Sequence, residues 1–176
     1  MKANPLNSEV LQADEPIVRV TASDIEMLNR KALANERKRI RLCAHSGIDD
    51  SLHEMLIVHG REAYVRPHKH PGKTESVHII EGTVDVIVFD DEGRIREIIR
   101  MGEIGSGLHF YYRMSKPIFH TLLIRSDVLV FHETTNGPFR RSDTVFAPWA
   151  PDDGNPEACI QYMREVARAA RAFEAR

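Results

Sequence analysis

His68-Lys69-His70-Pro71-Gly72-Lys73-Thr74-Glu75 is the stretch that decides how this chain is read; Gly82 follows it and, far downstream, His120. In an extended segment successive side chains alternate between faces, so His68 and His70, two apart, point the same way. Pro71-Gly72 then turns the chain, and Glu75 opens the next strand, Ser76-Val77-His78-Ile79-Ile80. Glu81-Gly82 supplies the following reversal, because glycine reaches the positive φ that a tight turn needs. His120 stands mid-strand in Ile118-Phe119-His120-Thr121-Leu122-Leu123. Three imidazoles and one carboxylate thus come within reach of one metal ion. A lone strand histidine is more often packing than ligand, and nine histidines leave room for coincidence. Two on one face, with a carboxylate one turn on and a glycine closing the hairpin, form a pattern that chance rarely produces. Imidazole and carboxylate together suit Fe, Mn, Ni, Cu or Zn.

Outward from this stretch, residues 40–148 read as short strands separated by turn signals. Met55-Leu56-Ile57-Val58 precedes Gly60, and Thr83 to Phe89 ends at the loop Asp90-Asp91-Glu92-Gly93. Arg94 to Met101 returns; Leu108 to Tyr112, Ile118 to Ile124 and Val128 to Thr134 complete the set. Many short strands at this interval predict an all-β sandwich or barrel.

The flanks differ. Residues 1–15 are expected to form a mobile tail and Ile17-Val18-Arg19-Val20 a short strand. Thr21 to Glu36 reads as a helix with a capping box in Ser23-Asp24-Ile25-Glu26 and an apolar stripe of Ile25, Leu28 and Ala32. Asn155-Pro156-Glu157 starts a second helix, with Asn capping, Pro in the first turn and Glu at the positive dipole end. Its stripe runs through Ala158, Cys159, Met163, Val166, Ala167, Ala170 and Phe173, and must lie on the barrel or on a partner subunit. The expected organisation is a tail (1–15), a barrel with its preceding helix (16–150) and a C-terminal helical extension (151–176).

The 176 residues suit one sizeable core. A net charge of −2 gives no electrostatic case for nucleic acid or membrane binding. The basic run Arg37-Lys38-Arg39-Ile40-Arg41 reads as a solvated edge. Cys43 and Cys159 form no CxxC pair and read as free thiols of a reducing compartment. The first residues carry no apolar signal region, and no apolar run reaches membrane-spanning length, so a cytoplasmic protein is expected.

The spacing His-x-His-x4-Glu-x6-Gly with a later strand histidine resembles the two metal motifs of the cupins. Arg39 to His45, Asp49-Asp50, Tyr64 to Pro71 and Asn136-Gly137-Pro138-Phe139 further resemble the WbuC-type cupins. The resemblance covers roughly residues 16 to 165. It implies a double-stranded β-helix (jelly-roll) barrel with N- and C-terminal helices added, and one divalent ion held by His68, His70, Glu75 and His120. Genes of that family lie among O-antigen polysaccharide genes, which implies a role in polysaccharide biosynthesis.

Four protein ligands close a tetrahedral zinc shell but leave two positions open on an octahedral Fe, Mn or Ni ion. The open form suits a barrel that admits a small polar ligand. By alternation Tyr64 and Arg66 should share the barrel-facing side with His68 and His70; Tyr64 is then a proton-donor candidate and Arg66 a binder of carboxylate or phosphate. His132 is a further acid–base candidate. His45, Lys73 and Tyr112 are candidate ligand contacts, although of the adjacent Tyr111 and Tyr112 only one can face inward and the sequence does not say which. Three functions follow: a metal-dependent enzyme acting on a sugar or sugar nucleotide by isomerisation or epimerisation, an Fe(II)-dependent dioxygenase, or a non-catalytic metal- or sugar-binding module. A homodimer is the expected assembly.

Overall fold

The computed structural model describes residues 1–175. In chain order its elements begin β1 (Ala3–Pro5), β2 (Val10–Ala13), α1 (Ala22–Ala34), β3 (Arg39–Cys43), β4 (Leu52–Gly60), β5 (His68–Lys69) and β6 (Glu75–Glu81). They continue with β7 (Thr83–Phe89), β8 (Ile95–Gly102), β9 (Tyr111–Met114), β10 (Phe119–Ile124), β11 (Val128–Asn136), β12 (Val145–Phe146) and α2 (Pro156–Glu174). One sheet runs β1-β2-β3-β4-β11-β6-β9 and the other β12-β5-β10-β7-β8. Counted from β4 as the first of eight, the strands lie first-eighth-third-sixth in one sheet and second-seventh-fourth-fifth in the other. That interleaving is the double-stranded β-helix which the resemblance implies, and the fold is all-β with two added helices.

Period-two patterning explains where the core sits. Met55, Ile57, Val77, Ile79, Leu129 and Phe131 face inward from the larger sheet and meet Val84, Val86, Leu122 and Ile124 of the smaller one. Gly82 closes the β6–β7 hairpin at φ 87°, where an added Cβ would collide with the Val128 carbonyl oxygen.

Both helices cover outer faces. α1 lays Leu28 and Ala32 over Ile40, Leu42 and Val58. Its capping box uses Thr21 and Asp24, not Ser23 and Glu26, because the Asp24 carboxylate accepts from both the Thr21 amide and hydroxyl, at 2.8 and 2.7 Å. α2 is capped by Asn155, whose side-chain oxygen accepts from the Ala158 amide at 3.1 Å. It packs Val166 and Ala170 on Ile87, Phe89, Phe119 and Leu123 of the smaller sheet. Neither stripe is left for a partner subunit.

The N-terminus corrects the sequence reading. Residues 1–15 are not a free tail: β1 and β2 form a hairpin, and β2 runs parallel to β3. Buried Val10 and Leu11 and the open edge of β3 account for this. Ile17 to Val20 is not a strand, and Ile17 is 71% exposed. Among the described residues no helix is long and apolar enough to cross a membrane.

His59 of β4 is a buried polar residue in this core, its ring edge-on to Phe131 and its Nδ1 without a partner. Burial, then the charges of Arg39 and Arg41, push its pKa down to about 3. Below the unfolded value of about 6.5 the unfolded chain takes up a proton that the native state refuses. Stability is therefore present above that pH and is lost as pH falls toward the folded value. His59→Leu should remove about 2 kcal/mol of the stability lost between pH 7.5 and pH 5. Denaturant melts at both pH values check this; an unchanged pH slope in the variant would mean His59 is not neutral in the fold.

Candidate metal centre

His68 pairs directly with His120 across β5 and β10, and His70 follows just beyond β5. Glu75 opens β6 on the facing sheet, where inward alternation places it with Val77 and Ile79. The His68 ring centroid lies 4.8 Å from that of His70 and 4.6 Å from that of His120. Glu75 stands between the other two: Oε2 is 3.5 Å from His70 Nε2 and Oε1 is 3.1 Å from His120 Nε2. All four residues predicted as ligands are brought together at one end of the barrel.

Each imidazole is held by its other nitrogen. Nδ1 of His68 donates to the Arg66 carbonyl at 2.8 Å, Nδ1 of His120 to that of Ile118 at 3.0 Å, and Nδ1 of His70 to that of Asp143 at 3.2 Å. A carbonyl only accepts, so Nδ1 carries the proton and the Nε2 side is the one able to bind a metal. Tyr112 donates its hydroxyl to Glu75 Oε1 at 3.0 Å and fixes that carboxylate. Tyr111 is the outward member of the pair, 50% exposed.

Burial, then the neighbouring His120 and His70, push the His68 pKa down to about 3. Burial alone would raise the Glu75 carboxyl, but the imidazoles, His120 first, hold it well below the carboxylate range. Burial alone would lower His120, and Glu75 overrides it, so His120 is raised. The 3.1 Å contact of His120 with Glu75 is a hydrogen bond and the 3.5 Å contact of His70 an electrostatic one, and among the described residues no group of three or more His, Cys, Asp or Glu is placed to hold a metal ion as the side chains stand.

Several other candidates lie elsewhere. Tyr64 donates to the Pro151 carbonyl at 2.9 Å, with its ring edge-on to Tyr162, and Arg66 pairs with Asp152 at 2.7 Å over the Phe146 ring. Both serve the segment leading into α2, because β5 is two residues long and alternation does not extend back through Pro67. His132 is on the outer face of β11, 3.9 Å from Glu54. His45 stacks on His53 at 4.0 Å and accepts from the Glu54 amide, apart from the ligand cluster. Lys73 donates to the Asn136 and Pro138 carbonyls at 2.7 and 2.9 Å and pairs with Asp143, tying the ligand hairpin to the 137–144 loop instead of meeting a ligand.

Glu133 was missed. It follows Leu129 and Phe131 at steps of two on β11, so it faces inward with them. Burial, then Glu75, raise its pKa. The alternation that places Glu133 inside is the same one that turns His132 out. Two cavities, of about 360 and 750 Å³, lie outside the barrel: one is lined by Ile98, Arg100 and Leu108, the other by Ile25, Leu56 and Ile80.

A family model described as a domain of unknown function, DUF6016, matches residues 20–101, less than half of the chain. No curated protein matches the sequence. Among solved structures, oxalate decarboxylase from Bacillus subtilis is similar at 20% identity and a TM-score of 0.45, over 56% of this chain and 24% of that one. A protein from Shewanella oneidensis is similar at 10% identity and a TM-score of 0.47, over 58% of this chain and 66% of that one. Procruciferin, an 11S globulin from Brassica napus, is similar at 12% identity and a TM-score of 0.42, over 50% and 21%. The chain spans about a quarter of the length of the oxalate decarboxylase it matches.

Proposed function

We propose that this chain is a metal-binding cupin in which His68, His70, Glu75 and His120 hold one divalent ion. The observation that carries the reading is the anchoring of all three imidazoles through Nδ1 to backbone carbonyls, which leaves their Nε2 atoms beside one carboxylate. That donor set, imidazole nitrogens beside one carboxylate, fits a first-row ion. A cation would take the place of the proton now shared between His120 and Glu75. Such an ion supplies Lewis acidity toward a carbonyl or lowers the pKa of a bound water.

The chain's own residues do the rest. Tyr112 orients Glu75, the backbone carbonyls orient the imidazoles, and Glu133 places a second carboxyl on the inner face as the acid–base candidate. We take the reaction to be isomerisation or epimerisation of a sugar or sugar nucleotide in O-antigen-like polysaccharide biosynthesis. Support for that finer reading is the sequence resemblance of the motifs around residues 39–45, 64–71 and 136–139. The test is metal analysis of protein purified without chelators, followed by turnover assays on sugar nucleotides. The expected result is one ion per chain and turnover that His70→Ala abolishes. Oxygen uptake with iron bound would replace this reading with a dioxygenase, and ligand-raised Tm without turnover would leave a binding module.

Pairing is part of the same proposal. Both helical stripes are covered, whereas Ile80, Phe110 and Tyr111 stay 39%, 45% and 50% exposed on or beside the outer faces of β6 and β9. A two-fold dimer burying that face is expected to run at about twice the 20.1 kDa chain mass in light scattering coupled to size exclusion. A mass near 20.1 kDa across a wide concentration range would refute it.

A further inference from the structure

Glu75 pairs with both Thr135 and Met114, and His120 pairs with His68. The connections 70–74, 115–118 and 137–144 therefore cross the barrel end that holds the ligand cluster. Lys116, Arg140 and Arg141 stand exposed on two of these connections, and Arg113 on the adjoining stretch of β9. Among the described residues none of the four has an acid within ion-pair distance. Other cations at that end are matched: Lys73 by Asp143, Lys69 by Asp91, Arg94 by Asp90. Against them stand two exposed acids without an ion-pair partner among the described residues, Asp49 and Glu97, the latter in the strand row of His120, while Asp50 is engaged by Ser46.

The opposite end has the reverse balance. Glu62, Glu81 and Glu103 are exposed around the connections 61–67, 82 and 103–110 without an ion-pair partner among the described residues; of the cations beside them, Arg61 is paired with Asp127 and Arg100 with Glu174, and Lys38 donates to the Leu33 carbonyl. A chain of net charge −2 thus separates its unmatched charge along the barrel axis, positive at the ligand end. Such a separation raises the local concentration of anions at one mouth.

We propose that this mouth admits a small anion bearing a phosphate or a carboxylate, gripped by Lys116, Arg140 and Arg141 on its way to the ligand cluster. The proposal rests on the metal reading for where the ligand ends its path. Paired guanidinium groups suit both oxyanions, since each presents a planar fork of donors. Arg66, the cation that alternation puts forward for this role, is engaged by Asp152.

The test is calorimetric titration of the full chain, incubated with divalent metal, with pyrophosphate, malonate and glucose as probes and metal content measured in parallel. An anion should bind with an affinity that falls as salt rises, and glucose should bind more weakly. Pyrophosphate against malonate distinguishes phosphate from carboxylate as the recognised group. The triple variant Lys116→Ala, Arg140→Ala, Arg141→Ala should lose at least about tenfold in anion affinity with unchanged metal content, and Arg140→Lys with Arg141→Lys should recover part of it. Undiminished anion binding in the triple variant, or glucose binding as tightly as the anions, would overturn the proposal while leaving the metal reading intact. A protein without metal whose anion binding still vanishes in the triple variant would do the opposite.

Discussion

Chelation of the metal-loaded protein is expected to lower its Tm by about 5–10 °C, and His70→Ala should show almost none of that response. A ligand that binds only the native state stabilises it by about 2.7 kcal/mol at a hundred times its Kd. In a chain of this size each kcal/mol moves Tm by about 2–4 °C. The four proposed ligands come from three different strands or their ends, β5, β6 and β10, so an ion among them ties the two sheets together at one end. His70 is partly exposed, as His68 is, with its side chain 22% accessible, and its truncation leaves no large cavity. Loss of the chelation response in that variant therefore reports on the ion. Equal melting with and without chelator, in protein shown to carry metal, would mean that the site contributes nothing to the fold.

Phe131→Ala is expected to destabilise by about 3–5 kcal/mol, or about 6–20 °C in Tm. Phe131 is 2% exposed at the centre of the inner face, on the strand that joins β4 to β6. Its neighbours on those strands, Ile57 and Ile79, are fixed in register and cannot collapse into the space that the ring leaves. His59 would also lose the ring edge it packs against. Thermal melts at neutral pH measure the effect, and a loss below about 1 kcal/mol would mean that the core repacks freely.

Much of this was legible because strands write their orientation at every second residue. His68 and His70 read as neighbours of one face, Glu75 as the opening of the next strand and His120 as an inward strand residue; the structure brings these four together. The same rule fails where no strand exists. Tyr64 and Arg66 were placed by counting back through Pro67, but β5 begins only at His68, and the residues before it turn toward the segment leading into α2. His132 was named for its chemistry, when the pattern Leu129, Phe131, Glu133 already turned it outward. The N-terminal strands escaped because Val10-Leu11 is too short an apolar run to signal a strand by itself. It becomes one by completing the edge of β3, a long-range contact that no local pattern encodes.

Lys73 shows a different limit. Its chemistry suits a ligand contact, and only the path of the 137–144 loop, which returns to lay the Asn136 and Pro138 carbonyls against it, makes it a structural tie. That loop also supplies the carbonyl that orients His70, so the cluster depends on residues about seventy positions away.

Anomalous diffraction at the absorption edge of the metal found in solution, on crystals grown without chelators, addresses the proposed site most directly. One ion is expected about 2.0–2.3 Å from Nε2 of His68, His70 and His120 and from a Glu75 carboxylate oxygen. An ion bound elsewhere on the chain, with His120 and Glu75 still joined to each other, would contradict it.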